Sequence, residues 1–459
     1  MPVSGLFVDS HEGRLPGLGS RRRPGYSICA TESILHRSNG TTMKIIYFTD
    51  VYWPRVNGVT VSIQTFSDAL RRLGHEVLIV CPEYPRERFM GTKAEAEGVF
   101  RIPSVGFFFS KEDRISVPMV VPDLFERFDA FGADVVHMQT EFSIGMLGRR
   151  YCRSRGYPII STCHTHYEQY FEHYFPGLPP RLGRALTRAS MRGMYRGDDA
   201  VIVPARQIER VLRGYGVNGK FFMIPTGVDE NTFAVDADRD LRVRRYLTER
   251  FPAIRDCPLL LFVGRVGQEK NVSFLFSVMK KIREAGSNAK LVLVGDGPAR
   301  THLEKMTVEQ GVGDLCVFSG YLAREDLPSV YAMADVFVFP SKTETQGLVT
   351  IEAMLCGTPV VAIGEMGTAD VMAGDNGGFM VRDDTDEFTA RVLQLLGDPA
   401  LRARKSAEAL EFSKRWTVGR MTDALLAVYD QAAAGRRKTK HTLFARIRRF
   451  LVRTPYFFT

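Results

Sequence analysis

The sequence predicts an α/β protein built from two Rossmann-like domains that face a cleft. Three observations carry that expectation. The chain has 459 residues, and at ~150 residues per domain this is two large domains or three small ones. Its 45% hydrophobic and 25% charged residues are those of a globular chain, which excludes global disorder, collagen and a coiled coil. Short continuous apolar runs then alternate with longer stretches of helical period, and they do so in two separate series. Continuous Val/Ile/Leu runs bounded by turns read as parallel strands buried on both faces.

The first series places strands at 44–48, 77–80, 134–138, 158–162, 200–203 and 221–224. The second places them at 258–263, 290–294, 315–318, 335–339, 359–363 and 378–381. Between them, helical spacing predicts helices over 59–73, 143–155, 206–214, 271–285 and 348–356. The polar stretch 230–256, rich in Asp and Arg, is the expected boundary. The domains expected are therefore 43–229 and 230–415, followed by a helix over 416–433 and a basic tail over 434–459. Residues 1–42 carry no periodicity and no apolar core of a secretory signal, and are expected to be a disordered extension.

The formal charge of +9 is unevenly spread. Residues 431–459 hold eight Lys or Arg and no Asp or Glu, and residues 1–42 are at +2, which leaves 43–430 at −1. A near-neutral body argues against a nucleic-acid binder, whose basic patch is built into the fold. No apolar run approaches the ~18–20 residues of a membrane-spanning helix. Seven cysteines, with no pair at metal or redox spacing, read as reduced core thiols in the cytosol.

Several motifs fall at expected strand ends, where ligands sit in such folds. Asp50–Val59 follows the first strand, and Gly58 opens a helix whose bare N–H groups suit a diphosphate; the alternative is a plain turn. Gly264-Arg265-Val266-Gly267-Gln268-Glu269-Lys270-Asn271 puts two cations, Arg265 and Lys270, around one turn. They suit a diphosphate leaving group or form a solvated loop. Val292–Arg300 resembles a dinucleotide fingerprint, but Arg300 replaces the third glycine and Pro298 fixes the turn, so no nicotinamide or flavin is expected. In Ser341–Glu352, Glu344 falls in a loop and Glu352 one turn into the next helix, with Gly347, Leu348 and Val349 near the helix start. This offers N–H groups to a phosphate and carboxylates to a sugar and a ribose, or it is an acidic first turn suited to the helix dipole. His164 ends the strand before Thr165-His166-Tyr167 and can bind or polarise a substrate. His164 and His166 lack a third ligand for a metal.

Two amphipathic stretches remain. Leu443, Phe444, Ile447, Phe450 and Leu451 share one helical face, with Arg446, Arg448, Arg449 and Arg453 largely off it. That composition suits a helix lying in a membrane interface. Arg181, Arg184, Arg188, Arg192 and Arg196 line one helical face, with Leu182, Leu186 and Met194 expected elsewhere. Either stripe can instead be a solvated face.

Taken together, residues 43–430 resemble the GT-B glycosyltransferases of family 4, and more finely the bacterial diacylglycerol glucosyltransferases. The segment His137–Gly145 looks like their loop facing the second domain. His164–Tyr174, with Tyr167 and Tyr170, is similar to their histidine and acceptor-side region, and Thr343–Leu348 to their donor loop. The resemblance implies a C-terminal helix crossing back to the first domain. It implies metal-independent, retaining transfer from a UDP-sugar to diacylglycerol at the cytoplasmic face of an anionic membrane. It assigns the diphosphate to Arg265 and Lys270, the sugar hydroxyls to Glu344, the ribose to Glu352, and the base to the main chain near Tyr321 and Leu322. His164 meets the sugar or the reacting region. A mannosyltransferase using GDP-mannose on another lipid, and a non-catalytic membrane sensor, are the alternatives.

Overall fold

The computed structural model describes residues 42–55, 57–85, 98–107, 110–164, 180–234, 236–374 and 376–434, without the side chains of 107, 110–113, 180, 181 and 184. The strands of the first domain are β1 (Lys44–Phe48), β2 (Glu76–Pro82), β3 (Val99–Ile102), β6 (Val135–Met138), β7 (Ile160–Thr162), β8 (Ala200–Val203) and β9 (Phe221–Met223). Between β3 and β6 lies a hairpin, β4 (Ser104–Phe107) and β5 (Ser110–Ser116). The domain's sheet runs β3-β2-β1-β6-β7-β8-β9, all parallel. This is the doubly wound order, which reverses beside β1 and opens a crevice at the carboxyl ends of the strands.

Side-chain alternation along β1 explains its unbroken apolar run. Ile45 and Tyr47 pack on one face, with Ile63, Phe66 and Leu70 of the Gly58–Arg72 helix. Ile46 and Phe48 pack on the other, with Ile144 and Tyr151 of the Ser143–Arg155 helix. With both faces covered, no polar position is tolerated.

The second sheet contains β10 (Leu259–Val263), β11 (Lys290–Val294), β12 (Cys316–Gly320), β13 (Val336–Phe339), β14 (Val360–Ile363) and β15 (Gly378–Val381). It runs β12-β11-β10-β13-β14-β15, again all parallel. The polar stretch at the expected boundary contains a helix, Ala237–Arg250. Only Val243 and Leu247 are buried on it, and both join the second core. Its polarity reflects that narrow buried stripe.

The last described helix, Val418–Ala434, returns to the first domain. Leu425, Leu426, Val428 and Tyr429 join the core of β1, β2 and β6. Just before it, Thr417 pairs with Val228, so the chain's two crossings between domains run side by side. Among the described residues no helix is long and apolar enough to cross a membrane.

Candidate functional site between the two domains

On the first domain, the ends of β1, β6 and β7 build one rim. The Asp50 carboxylate accepts from Thr140 Oγ1 at 2.7 Å, Ser143 Oγ at 2.8 Å, and the N–H groups of Phe142 at 3.0 Å and Ile144 at 2.7 Å. It therefore caps the Ser143–Arg155 helix from the end of β1 and fixes the loop after β6. Gly145 is obligatory there, because a Cβ would lie 1.9 Å from the Thr140 carbonyl oxygen.

His164 stands at the end of β7, where its Nε2 meets Gln139 Oε1 at 2.9 Å. Gln139 Nε2 meets His137 Nδ1 at 3.2 Å. His137 is buried, its Nδ1 2.8 Å from the Tyr429 hydroxyl and its Nε2 2.7 Å from Thr162 Oγ1. Burial pushes the His164 imidazole down to about 4. Burial, and secondarily the neighbouring His164, push His137 down to about 3. Both rings are neutral at physiological pH.

The second rim is made of close-packed loops at the ends of β10–β13. Gly295 has φ +126°, and a Cβ there would lie 2.0 Å from the Gly264 carbonyl oxygen. Only bare backbone lets these two loops touch. Arg265 is exposed, its guanidinium 3.6 Å from Glu269. Lys270, by contrast, is mostly covered and hydrogen bonds Glu344, which also accepts from Ser341 Oγ at 3.0 Å. Two expected substrate ligands thus neutralise each other here.

Gly347, at φ +66°, starts the Leu348–Leu355 helix. Its neighbour is the Glu365–Thr368 segment: Gly367 donates to the Glu344 carbonyl at 2.8 Å. Thr368 Oγ1 is fully buried beside Gly347 and has no hydrogen-bond partner among the described residues. Glu352 accepts from the Tyr331 hydroxyl at 2.9 Å, with Arg324 at 3.8 Å. Burial raises its carboxyl, while Arg324 and the Tyr331 hydroxyl pull it back down. Tyr321 is exposed and Leu322 half-buried at the end of β12.

A small pocket at the first rim is lined among others by Phe66, Gln139, His164, Ile224 and Leu425, with Gln346 reaching it from the second domain. Gln346 Oε1 accepts from the Thr226 N–H at 3.1 Å. Asp370, one turn beyond Gly367, accepts from the Arg206 N–H at 2.6 Å, capping a first-domain helix from the second domain. Among the described residues no three His, Cys, Asp or Glu side chains cluster to hold a metal ion.

An apolar surface adjoins the first rim. Of the fifteen exposed large apolar side chains among the described residues, eight lie in the segments 105–146 and 182–186. Val105 and Ile115 face each other across the hairpin. Ser116 N–H, next along, donates to Ser143 Oγ, which stands beside exposed Phe142 and one turn before exposed Met146. The Pro180–Met194 helix buries Thr187 and Met191 and exposes Arg188 and Arg192. It also exposes Leu182 and Leu186, so these leucines are not the covered face of that helix. The Tyr195 hydroxyl just after it bonds Glu141, the neighbour of Phe142.

The structure thus brings His164 to one rim and Arg265, Lys270, Tyr321, Leu322, Glu344, Gly347, Leu348, Val349 and Glu352 to the other. Gly58 starts its helix behind an Asn57 cap, whose side chain accepts from the Thr60 N–H at 2.9 Å. Tyr167, Tyr170, Arg446, Arg448, Arg449 and Phe450, and the side chains of Arg181 and Arg184, lie outside the described residues. Sequence reasoning missed Gln139, Asp370 and Tyr429. Gln139 carried a signal, as a polar residue closing an apolar strand. Asp370 and Tyr429 carried none, because their partners are remote in sequence.

Comparison with known proteins gives the family and the fold. Residues 56–232 match the family described as Glycosyltransferase Family 4, and residues 248–412 that described as Glycosyl transferases group 1. The alpha-monoglucosyldiacylglycerol synthase of Streptococcus pneumoniae is 30% identical over 80% of this chain and 82% of its own. A GDP-mannose-dependent alpha-mannosyltransferase of Mycolicibacterium smegmatis is 30% identical over 87% of this chain and 100% of its own. The fold matches Anabaena HepE in complex with UDP at a TM-score of 0.66, with 17% identity, over 85% of this chain and 100% of that one. The chain belongs to the family 4 glycosyltransferases and has the GT-B fold.

Proposed function

We propose that this glycosyltransferase moves a hexose from a UDP-sugar to 1,2-diacylglycerol at a membrane surface, with retention, giving an α-glycosyl diacylglycerol. Glucose is the expected sugar, with galactose and glucuronic acid as variants. The observation that carries the reading is the second rim. Two carboxylates, Glu344 and Glu352, flank the start of a glycine-led helix, with Lys270 bonded to the first.

Lys270 and Arg265 stabilise the departing diphosphate, and the N–H groups after Gly347 add to that field. Glu344 takes the sugar hydroxyls and Glu352 the ribose hydroxyls. The main chain of Tyr321 and Leu322 meets the base. His164 meets the sugar from the first rim. The bond between the anomeric carbon and the phosphate oxygen breaks, and its electron pair leaves with UDP. The acceptor hydroxyl attacks on that same face and gives its proton to the leaving phosphate oxygen, so neither a protein nucleophile nor a metal is called for.

Support for the lipid acceptor is the name of the pneumococcal relative and the exposed apolar side chains Val105, Ile115, Phe142 and Met146 near the first rim. The Ser143–Arg155 and Pro180–Met194 helices contain no acidic residue, and their exposed arginines suit anionic headgroups. The tail at 434–459 adds a second basic, amphipathic anchor, which makes the protein peripheral on the cytoplasmic face. The mycobacterial relative favours one second reading, mannosyl transfer from GDP-mannose.

The deciding experiment mixes purified protein with diacylglycerol in anionic vesicles and, separately, UDP-glucose, UDP-galactose, UDP-glucuronate or GDP-mannose. Lipids are then read by mass spectrometry. A glycosyl-diacylglycerol from one UDP-sugar is the expected result. Product from GDP-mannose alone, or nucleotide release without lipid product, overturns the donor or the acceptor respectively.

A further inference from the structure

We propose that Arg324 is a positioning residue for the donor's ribose: its guanidinium reaches back from the loop assigned to the base and holds the buried Glu352 carboxylate ready for the ribose hydroxyls. The inference rests on the reading that Glu352 takes those hydroxyls and that Tyr321 and Leu322 meet the base.

The argument starts from a strand end. β12 closes at Gly320, and Tyr321 and Leu322 follow it directly. The Ala323 carbonyl accepts from the Asp326 N–H at 3.0 Å, so Arg324 opens a single tight turn, Arg324–Asp326. From there its guanidinium lies 3.8 Å from Glu352 Oε1. The acidic Asp326 in the same turn is engaged elsewhere, by Arg242 at 2.6 Å. Glu352 belongs to a different element, the Leu348–Leu355 helix. The pair therefore ties the loop at the base to the carboxylate at the ribose, and sets the two halves of a nucleoside site relative to one another.

Glu352 needs such a partner. Its side chain is only 9% exposed, and a carboxylate taken out of water favours its neutral form. The ribose hydroxyls are donors, and an ionised carboxylate is all acceptor, whereas a protonated one gives up part of that capacity. Among the described residues three groups face it. The Tyr331 hydroxyl donates to Oε2 at 2.9 Å, and burial keeps that phenol protonated. Cys356, one turn along the same helix, is pushed up to about 12 by burial and stays neutral. Arg324 is the one charged group of the three, and it opposes the rise that burial imposes on the carboxyl. Tyr331 takes Oε2, which leaves Oε1, on the Arg324 side, for the ribose.

The test uses the full chain, with UDP and 2′-deoxy-UDP as probes in calorimetry over about pH 5 to pH 8. The ratio of the two affinities cancels the titration of the phosphates, which both probes share. Wild type is expected to prefer UDP by roughly tenfold, the loss expected for one hydrogen bond to a charged group. Arg324 is 61% exposed, so Arg324→Gln removes the charge without opening the core, and a thermal melt checks this. In that variant the preference is expected to be lost about one pH unit higher than in wild type. Arg324→Lys is expected to restore the wild-type profile, because a pair at this distance acts through its charge and not as a bidentate fork. A wild-type pH profile in folded Arg324→Gln overturns the proposal, as does equal weakening of both probes at every pH. Glu352→Gln separates the two readings. If it keeps the wild-type preference, the ribose reading of Glu352 fails and the proposal falls with it. If it abolishes the preference while Arg324→Gln keeps the wild-type profile, the ribose reading stands and the role of Arg324 alone fails.

Discussion

Lys270 is the sharpest test of the second rim, because its structural and catalytic roles predict different outcomes. In the free protein its ammonium is bonded to Glu344, and both side chains are about four-fifths covered, at 21% and 17% exposure. When a diphosphate enters, the ammonium gains a second anionic neighbour, whose charge grows as the sugar bond breaks. In surroundings of effective dielectric ~20, a unit charge at ~4 Å interacts by about 4 kcal/mol. Only the share that grows in the transition state raises the rate, and removing one such preorganised donor typically costs about 10²–10³ in kcat. Lys270→Met removes the charge and keeps most of the stem. It is expected to lower kcat for nucleotide release by that factor, with a small loss of thermal stability, since a partly exposed pair contributes about 1 kcal/mol or less. Steady-state kinetics beside a thermal melt check both. A kcat within tenfold of wild type, paired with a large drop in melting temperature, refutes the leaving-group role and makes the pair a structural tie.

Two further predictions follow from the same geometry. Gly58→Ala and Gly295→Ala should part company: a Cβ on Gly58 meets nothing within 4 Å, so stability is unchanged or rises by about 0.5–1 kcal/mol while donor KM rises. At Gly295 the Cβ strikes the Gly264 carbonyl oxygen, and about 2 kcal/mol or more is lost in chemical denaturation; equal effects at both sites would remove the assigned reason for either glycine. His137 and His164 are held below their unfolded value of 6.5, so the unfolded chain binds protons that the folded one refuses. The stability they contribute is complete above pH ~6.5 and is lost as pH falls toward their folded values, at up to about 1.4 kcal/mol per pH unit each. Urea titrations of wild type and His137→Asn at pH 7 and pH 5 should therefore converge at the lower pH, and a constant difference would contradict neutral burial of His137.

What the sequence discloses depends on how local each feature is. All twelve strands expected from continuous apolar runs are present, because two-sided burial writes its signature into consecutive residues. The edge strand Val99–Ile102 escapes that signature, as three of its four residues are only half-buried. The hairpin strand Ser110–Ser116 escapes it too, with a polar sequence lying outside the main sheets. The Ala237–Arg250 helix is hidden in the polar boundary stretch because only Val243 and Leu247 are buried on it. The same rule holds in the site. Lys270, Glu344 and Gly347 follow β10 and β13 closely, and Glu352 lies in the helix that Gly347 starts, so short windows of sequence contain them. Tyr429 reaches His137 across 292 residues, and no window of sequence contains that contact.

The contacts hidden from the sequence are also those that join the domains. Gln346 bonds the Thr226 N–H, and it stands next to Gly347, the start of the donor-side helix. Asp370 caps the Arg206–Gly214 helix, and it stands one turn beyond Gly367, which holds the Glu344 carbonyl. Tyr429 bonds His137, which shares Gln139 with His164. Each interdomain bond is thus one or two links from a residue assigned to the substrate. A ligand that orders the 343–347 loop would favour the arrangement in which Gln346 and Asp370 meet the first domain, because it binds that arrangement better. The local motifs hold the residues assigned to the chemistry, and these long-range bonds hold the two domains against one another beside them.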